Sequence, residues 1–133
     1  MLEGKLEVYR VMLELKQSQH GRGIFATRDI KKDELLEVSP VIIFPKEEFK
    51  YLEKTTLIDY VFWWGKDFDE CALALGIGSL FNHSSKPNAI FKRKLKKRTI
   101  NFYAYTDIEA GEEIRINYNG DPEDRTRLWF EEK

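Results

Sequence analysis

Cysteine is almost absent from this chain. Cys71 is the only one, so neither an intramolecular disulfide nor a cysteine-based zinc site can form within it, which fits a reducing compartment. Histidine is nearly as scarce, with His20 and His83 alone. The few prolines and glycines build no linker, repeat or low-complexity tract, so 133 residues read as one domain spanning 1–133. A chain of that length buries about two thirds of its unfolded surface and folds without a metal or disulfide. No apolar run is long enough to span a bilayer, and Met1-Leu2-Glu3-Gly4-Lys5 lacks the apolar centre of a signal peptide. The expectation is an intracellular, cytoplasmic protein, nuclear in a eukaryote, with no membrane partner. Asn82-His83-Ser84 matches a glycosylation sequon, but without a secretion signal the match carries little weight. A large excess of one charge is also lacking: the net charge is −1, so composition does not mark a nucleic-acid binder.

What is present is unevenly placed. Phe91-Lys92-Arg93-Lys94-Leu95-Lys96-Lys97-Arg98-Thr99 is densely basic, the end from Asp121 leans acidic, and Phe62-Trp63-Trp64 is an aromatic cluster. Residues 2–15 alternate as one or two strands would, with Tyr9, Val11 and Leu13 on one face. Ser18-Gln19-His20-Gly21-Arg22-Gly23 reads as a turn, Ile24-Phe25-Ala26 as a short strand, Asp29 to Asp33 as a turn, and 35–44 as a strand pair broken near Ser39-Pro40. Pro45-Lys46-Glu47-Glu48 suits a helix start, because proline fits the first position and the acids complement the dipole. That helix turns Phe49 and Leu52 inward and ends before Thr56. Ile58, Tyr60, Phe62 and Trp64 recur with the period of a half-buried strand. Residues 72–80 read as strand or turn, and 89–91 with 99–105 as two hairpin arms with the basic run at the tip. Residues 108–111 form a turn and 113–118 a strand; Asp121 and Pro122 then suit the start of a last short helix carrying Trp129 and Phe130. Many short strands and little helix make the fold class mainly β.

Three segments carry more than periodicity. Gly21-Arg22-Gly23-Ile24-Phe25-Ala26 fits the dinucleotide fingerprint, but that site needs a helix next, and Thr27-Arg28-Asp29 leads into a turn. A plain glycine turn is the simpler alternative. Gly78-Ser79-Leu80-Phe81-Asn82-His83-Ser84-Ser85-Lys86-Pro87-Asn88 gathers Asn, His, Ser and Pro behind an apolar run, which neither a core strand nor an amphipathic helix requires. Taken alone it is a structural Asn-turn with a solvent-facing His83. A hydrolase is disfavoured: Gly76-Ile77-Gly78-Ser79-Leu80 breaks the nucleophile-elbow pattern, and a Cys71–His83 pair has no local support. Gly111-Glu112-Glu113-Ile114-Arg115-Ile116-Asn117-Tyr118, alone, is an edge strand ending in an aromatic.

In this order the three segments resemble the sequence marks of a SET domain, the fold of many protein-lysine methyltransferases, from about residue 21 to about 119. The resemblance implies a SET-domain-like (β-clip) arrangement of several small sheets with short helices. It also implies a knotted C-terminal crossing, half of it formed by the Asn82-His83 segment, and a closing segment over 120–133. It implies S-adenosylmethionine (AdoMet) as cofactor. Arg22, Gly23 and Ile24 would pass their backbone close to it, where a side chain would collide. Phe81, Asn82 and His83 would cradle its amino-acid part and adenine, and Trp129 would cover the adenine. Tyr118 would contact the cofactor and serve as the catalytic residue. Methyl transfer from a sulfonium to an amine is an in-line displacement governed by alignment and electrostatics. The Tyr118 hydroxyl and nearby carbonyls would hold the polarised methyl through weak C–H···O contacts. The lysine must attack as a neutral amine; with a free pKa of about 10.4, neutrality near pH 7.4 costs about 4 kcal/mol. An apolar channel beside a cation offsets that cost. Tyr60, Phe91, Tyr105 and Ile116 are the expected channel residues, although core packing explains each aromatic taken singly.

The sequence also departs from the family. Ser85 stands where a Cys is frequent, a residue that is not a nucleophile there. The family's Tyr-x-Gly would fall around Val38-Ser39-Pro40 and is missing, which leaves Tyr60 or Tyr105 to take that tyrosine's task. Cysteine-rich flanking segments are absent, so no metal is expected. Ile116 replaces a frequent Phe or Tyr, and neither it nor Phe91 offers a hydroxyl to pin a water beside the amine, so room for more than one methylation is expected. The function expected is AdoMet-dependent methylation of a protein lysine. Two alternatives stand beside it: a catalytically silent SET-like binding module, and a nucleic-acid-associated β domain using residues 92–98. The partner expected is a lysine-bearing, histone-like or other basic protein, grasped as an extended strand or with the help of a homodimer partner. Nucleic acid is not expected as a direct ligand. The basic run reads first as a solvated hairpin tip, and otherwise as a contact for an acidic partner or a phosphate backbone.

Overall fold

The computed structural model describes residues 12–19 and 21–123. The expectations for residues 2–11, for Trp129 and Phe130 and for most of the closing segment lie outside the described residues. Strands β1 (Leu13–Ser18) and β2 (Gly21–Ala26) form a hairpin whose pairing runs from Leu13 with Ala26 to Ser18 with Gly21. The turn expected over 18–23 is therefore shorter than its composition suggests. Gly21 takes the positive φ (+94°) that a tight hairpin requires, while Arg22 and Gly23 continue as strand.

Strand β3 (Leu35–Phe44) is one strand, not two, and the break expected near Ser39-Pro40 is a change of partner. Residues 35–40 pair with β8 (Thr99–Ala104), and residues 41–44 pair with β5 (Glu70–Ala74). Pro40, which has no N–H to give, sits at the changeover and accepts from the Leu75 amide at 2.9 Å. β4 (Val61–Trp64) completes one edge and β7 (Ala89–Lys94) the other, giving the order β4-β5-β3-β8-β7. The strand expected from Ile58 begins only at Val61, because Thr56–Asp59 forms a 3₁₀ turn capped by the Thr55 hydroxyl. The helix expected after Pro45 is a 3₁₀ turn over Lys46–Glu48 followed by α1 (Phe49–Leu52); Leu52 is buried and Phe49 stacks on Trp63 at 5.4 Å.

A second sheet has the order β1-β2-β9-β6, with β9 (Glu113–Ile116) antiparallel to β2 and β6 (Asn82–His83) parallel to β9. The basic hairpin is present as expected, but β7 extends through Lys94 and leaves 95–98 as the tip. Alternation aims Ile100, Phe102 and Ala104 of β8 into the core, with Ile24, Ile114 and Ile116 from the second sheet in the same buried cluster. Phe102 is the hub: its ring lies 4.8 Å from that of Phe81 and 6.1 Å from those of Phe62 and Phe91. The architecture is thus mainly β, with small sheets and, among the described residues, one short α-helix.

Because Phe102 touches aromatics from three segments, Phe102→Ala leaves a cavity those segments cannot close together. It should cost about 3–5 kcal/mol, read as a lower denaturant midpoint in an unfolding titration. A loss under about 1 kcal/mol would show that the hub is not where the core is held.

Candidate functional site

The site grows from β9. Toward β2, the Glu112 carbonyl accepts from the Ala26 amide at 2.9 Å. On its other side the Asn88 carboxamide acts as a substitute strand: its Nδ2 donates to the Glu113 carbonyl (2.9 Å) and its Oδ1 accepts from the Arg115 amide (2.8 Å). Farther along, β6 pairs Asn82 with Arg115 and His83 with Ile116, and the Ser84 amide donates to the Ile116 carbonyl at 2.9 Å. This double clamp fixes where the chain leaves β9 for Asn117 and Tyr118.

Two side chains then meet above β2. Asn82 Nδ2 donates to the Glu113 carboxylate at 2.7 Å and to the Arg22 carbonyl at 3.0 Å. Gly23 lies directly beneath, and a Cβ there would run into the Glu113 carboxylate and stand 2.9 Å from Asn82 Nδ2. Any side chain there would have to displace the Asn82–Glu113 pair. At Gly21, by contrast, a Cβ would meet open space. Across from these groups, the Tyr118 amide donates to Nδ1 of the buried His83 at 3.0 Å, which places the imidazole proton on Nε2. The His83 and Tyr118 rings lie 5.1 Å apart. The Tyr118 hydroxyl donates to the Phe81 carbonyl at 2.7 Å. Burial, reinforced by the nearby Glu113, Tyr60 and Asp59, pushes the Tyr118 phenol up to about 12.

Hydrogen bonds thus bring together Arg22, Phe81, Asn82, His83 and Tyr118, with Gly23 packed beneath. Tyr60 also joins them. The Ser79 hydroxyl donates to its carbonyl at 2.9 Å, its phenol acts electrostatically on Tyr118, and it is 37% exposed, so it can meet a ligand. Tyr105 is half-buried and tied to the Asn88 carbonyl by its amide at 2.8 Å. Ile24, Ile116 and Phe91 sit in the apolar core beneath the site, and both isoleucines are almost fully enclosed. Trp129 lies outside the described residues. Around the missing Tyr-x-Gly, Val38 points outward and Ser39 is fully buried, where a Cβ on Gly78 would strike its hydroxyl. That stretch of β3 serves packing.

Sequence reasoning missed Glu113, Asn88 and Asp59. Glu113 and Asn88 stand inside the segments singled out, yet nothing local shows that one binds Asn82 and the other splints β9. Asp59 ends a 3₁₀ turn that carried no signal.

Comparison with known proteins gives a consistent picture. The SET domain profile matches residues 21–119. The chain is 36% identical over 131 residues to a Schizosaccharomyces pombe protein named histone-lysine N-methyltransferase, H3 lysine-37 specific, covering 97% of this chain and 84% of that relative. It is 31% identical over 120 residues to the variant-silencing SET domain-containing protein of Plasmodium falciparum, covering 80% of this chain but 5% of that much longer protein. Among solved structures, a candidate histone methyltransferase of Plasmodium falciparum superposes with a TM-score of 0.68 at 32% identity, over 82% of this chain and 94% of that one. A humanized mutant of the Chaetomium thermophilum Polycomb Repressive Complex 2 superposes with a TM-score of 0.66 at 24% identity, over 80% of this chain and 14% of that one, and shares the fold alone.

Asn88→Ala removes the partners of one amide and one carbonyl on β9 together. It should destabilise the protein by about 2–4 kcal/mol and speed hydrogen exchange at the Arg115 amide. Unchanged exchange at Arg115 would show that β9 does not need its side-chain splint.

Proposed function

The chain belongs to the SET domain family, and on that premise we propose that it is an AdoMet-dependent methyltransferase acting on a lysine side chain of a protein. The observation that carries this reading is the Tyr118 hydroxyl. It is aimed by its bond to the Phe81 carbonyl, kept protonated by burial, and flanked by His83 and the Asn82–Glu113 pair. The surroundings are rich in acceptors and negative charge: the Phe81 and Arg22 carbonyls, the Tyr118 oxygen, Glu113 and Asp59. Such a lining suits a cationic methyl donor.

When bound, AdoMet supplies a methyl group on a sulfonium, which leaves as a neutral thioether when the new N–C bond forms. The residues proposed to hold it are Arg22, Gly23 and Ile24 through their backbone, Phe81, Asn82, His83 and Tyr118. Tyr118 acts by orienting through its oxygen. It cannot take the lysine proton, because its own proton is held, so that proton goes to water before attack. Tyr60 and Tyr105 form the wall of the lysine channel, over a floor shaped by Phe91 and Ile116. Residues 1–133 act as one domain. The name of the 36%-identical relative supports a histone-like basic protein as substrate and a nuclear location.

Titration calorimetry tests the reading. Wild type should bind AdoMet and His83→Ala should bind at least about tenfold more weakly, a loss of about 1.4 kcal/mol or more. Tyr118→Phe should still bind but transfer methyl to histones about 10²-fold more slowly. A wild type that shows no AdoMet binding would overturn the proposal.

The pH profile provides a second check. Because the Tyr118 phenol is pushed up to about 12, it stays neutral through mildly alkaline pH. The rate should follow the neutral-amine fraction and rise about tenfold per unit between about pH 7 and 9. Tyr118→Phe should lower that profile without shifting it. An inflection below about pH 10 that disappears with the hydroxyl would mean that Tyr118 is the base.

A further inference from the structure

The cations of the β7–β8 hairpin do not behave alike. Arg93 is turned into the protein: its Nε donates to the Trp63 carbonyl at 2.6 Å and its guanidinium lies over the Phe68 and Phe91 rings at 4.9 and 5.1 Å. It ties the hairpin to β4 and the loop after it, so the tip is carried on a fixed base. Lys92 lies over the Tyr103 ring at 5.3 Å. Beyond them Lys96, Lys97 and Arg98 are exposed and Lys94 is half-buried. Among the described residues, none of these four has a carboxylate partner.

The rest of the chain is acidic. The whole carries 22 Lys and Arg against 23 Asp and Glu, and residues 92–98 hold 6 of the cations; the remainder is 16 against 23, or −7. A net charge near zero thus hides a segregated one, and segregation of this kind marks a contact for a polyanion. Two polyanions are available, a nucleic-acid backbone and an acidic protein surface. The tip favours the first. Protein interfaces are depleted of Lys at their core and built on aromatic or aliphatic anchors, whereas 94–98 offers Leu95 alone among lysines and an arginine. Backbone phosphates need only closely spaced cations on long stems.

The hairpin also links the tip to the site. Asn88, which splints β9, is followed at once by the 6 residues of β7, so the tip lies about 20 Å away at about 3.3 Å per residue. We propose that residues 94–98 bind the phosphate backbone of DNA, so that the acceptor protein is methylated while it is held on DNA. The coupling to methylation rests on the methyltransferase reading; the DNA contact does not.

The test is fluorescence anisotropy with a labelled duplex of about 30 base pairs over a range of salt. Four phosphate contacts predict a slope of log affinity against log salt of about −3.6. Lys96→Gln, Lys97→Gln and Arg98→Gln together should bring it near −1, whereas Lys32→Gln, Lys46→Gln and Lys54→Gln, the same change in net charge elsewhere, should leave it near the wild-type value. Methyl transfer to free histones should be equal in both variants, and transfer to DNA-bound histones should fall at least about tenfold only in the tip variant, about 1.4 kcal/mol. Absence of duplex binding at low salt, equal slopes in the two variants, or equally tight binding of polyglutamate would overturn the proposal, the last by pointing to an acidic protein. Salt-dependent duplex binding without any methyl transfer would uphold the DNA contact and reject the enzymatic reading.

Discussion

Every feature of the site depends on β9 being held on both sides. It is a short strand of 4 residues and too short to keep its place alone. The β2 ladder binds it on one side. On the other it meets the Asn88 carboxamide, and the parallel pairing with β6 holds its far end. Parallel partners need a long crossover between them, and here the connection contains the whole β7–β8 hairpin. The hairpin is therefore part of the structure that brings Asn82 and His83 beside Tyr118, and Asn88 sits where it departs.

A second constraint is steric. The Asn82–Glu113 bond occupies the volume that any side chain at position 23 would need. The same bond supplies an acceptor and a negative charge at the mouth of the site while leaving the Asn82 carbonyl oxygen for other partners. Burial acts on Tyr118 in the same sense as the nearby Glu113, Tyr60 and Asp59, since both disfavour the phenolate. The site therefore has a neutral hydroxyl within a negative field, an arrangement suited to orienting a cation and poorly suited to removing a proton.

Charge is segregated on a larger scale too. An acidic body carries a basic tip, and Arg93 is spent on packing while Lys96, Lys97 and Arg98 stay in water. The tip and the site are two ends of one strand, which gives the proposed DNA contact a rigid connection to the proposed chemistry.

The three motifs, the glycine segment, the Asn-His segment and the strand before Tyr118, were legible in the chain itself, as were the mainly β class and the basic hairpin. Each depends on local chemistry: period-two alternation, glycine at tight turns, and residue types that neither a core strand nor a helix needs. Other features were decided only by tertiary structure. Local pattern could not show that β3 changes partner at Pro40, since the proline reads as a break whether or not the strand continues. It could not show that Ile116 and Phe91 lie within the core while Tyr60 acts electrostatically on Tyr118. Nor could it reveal that Glu113 binds Asn82 and Asn88 splints β9. Those contacts join residues 25 to 31 positions apart, and a hydrogen bond over that separation exists only once the strands that carry its two ends have paired.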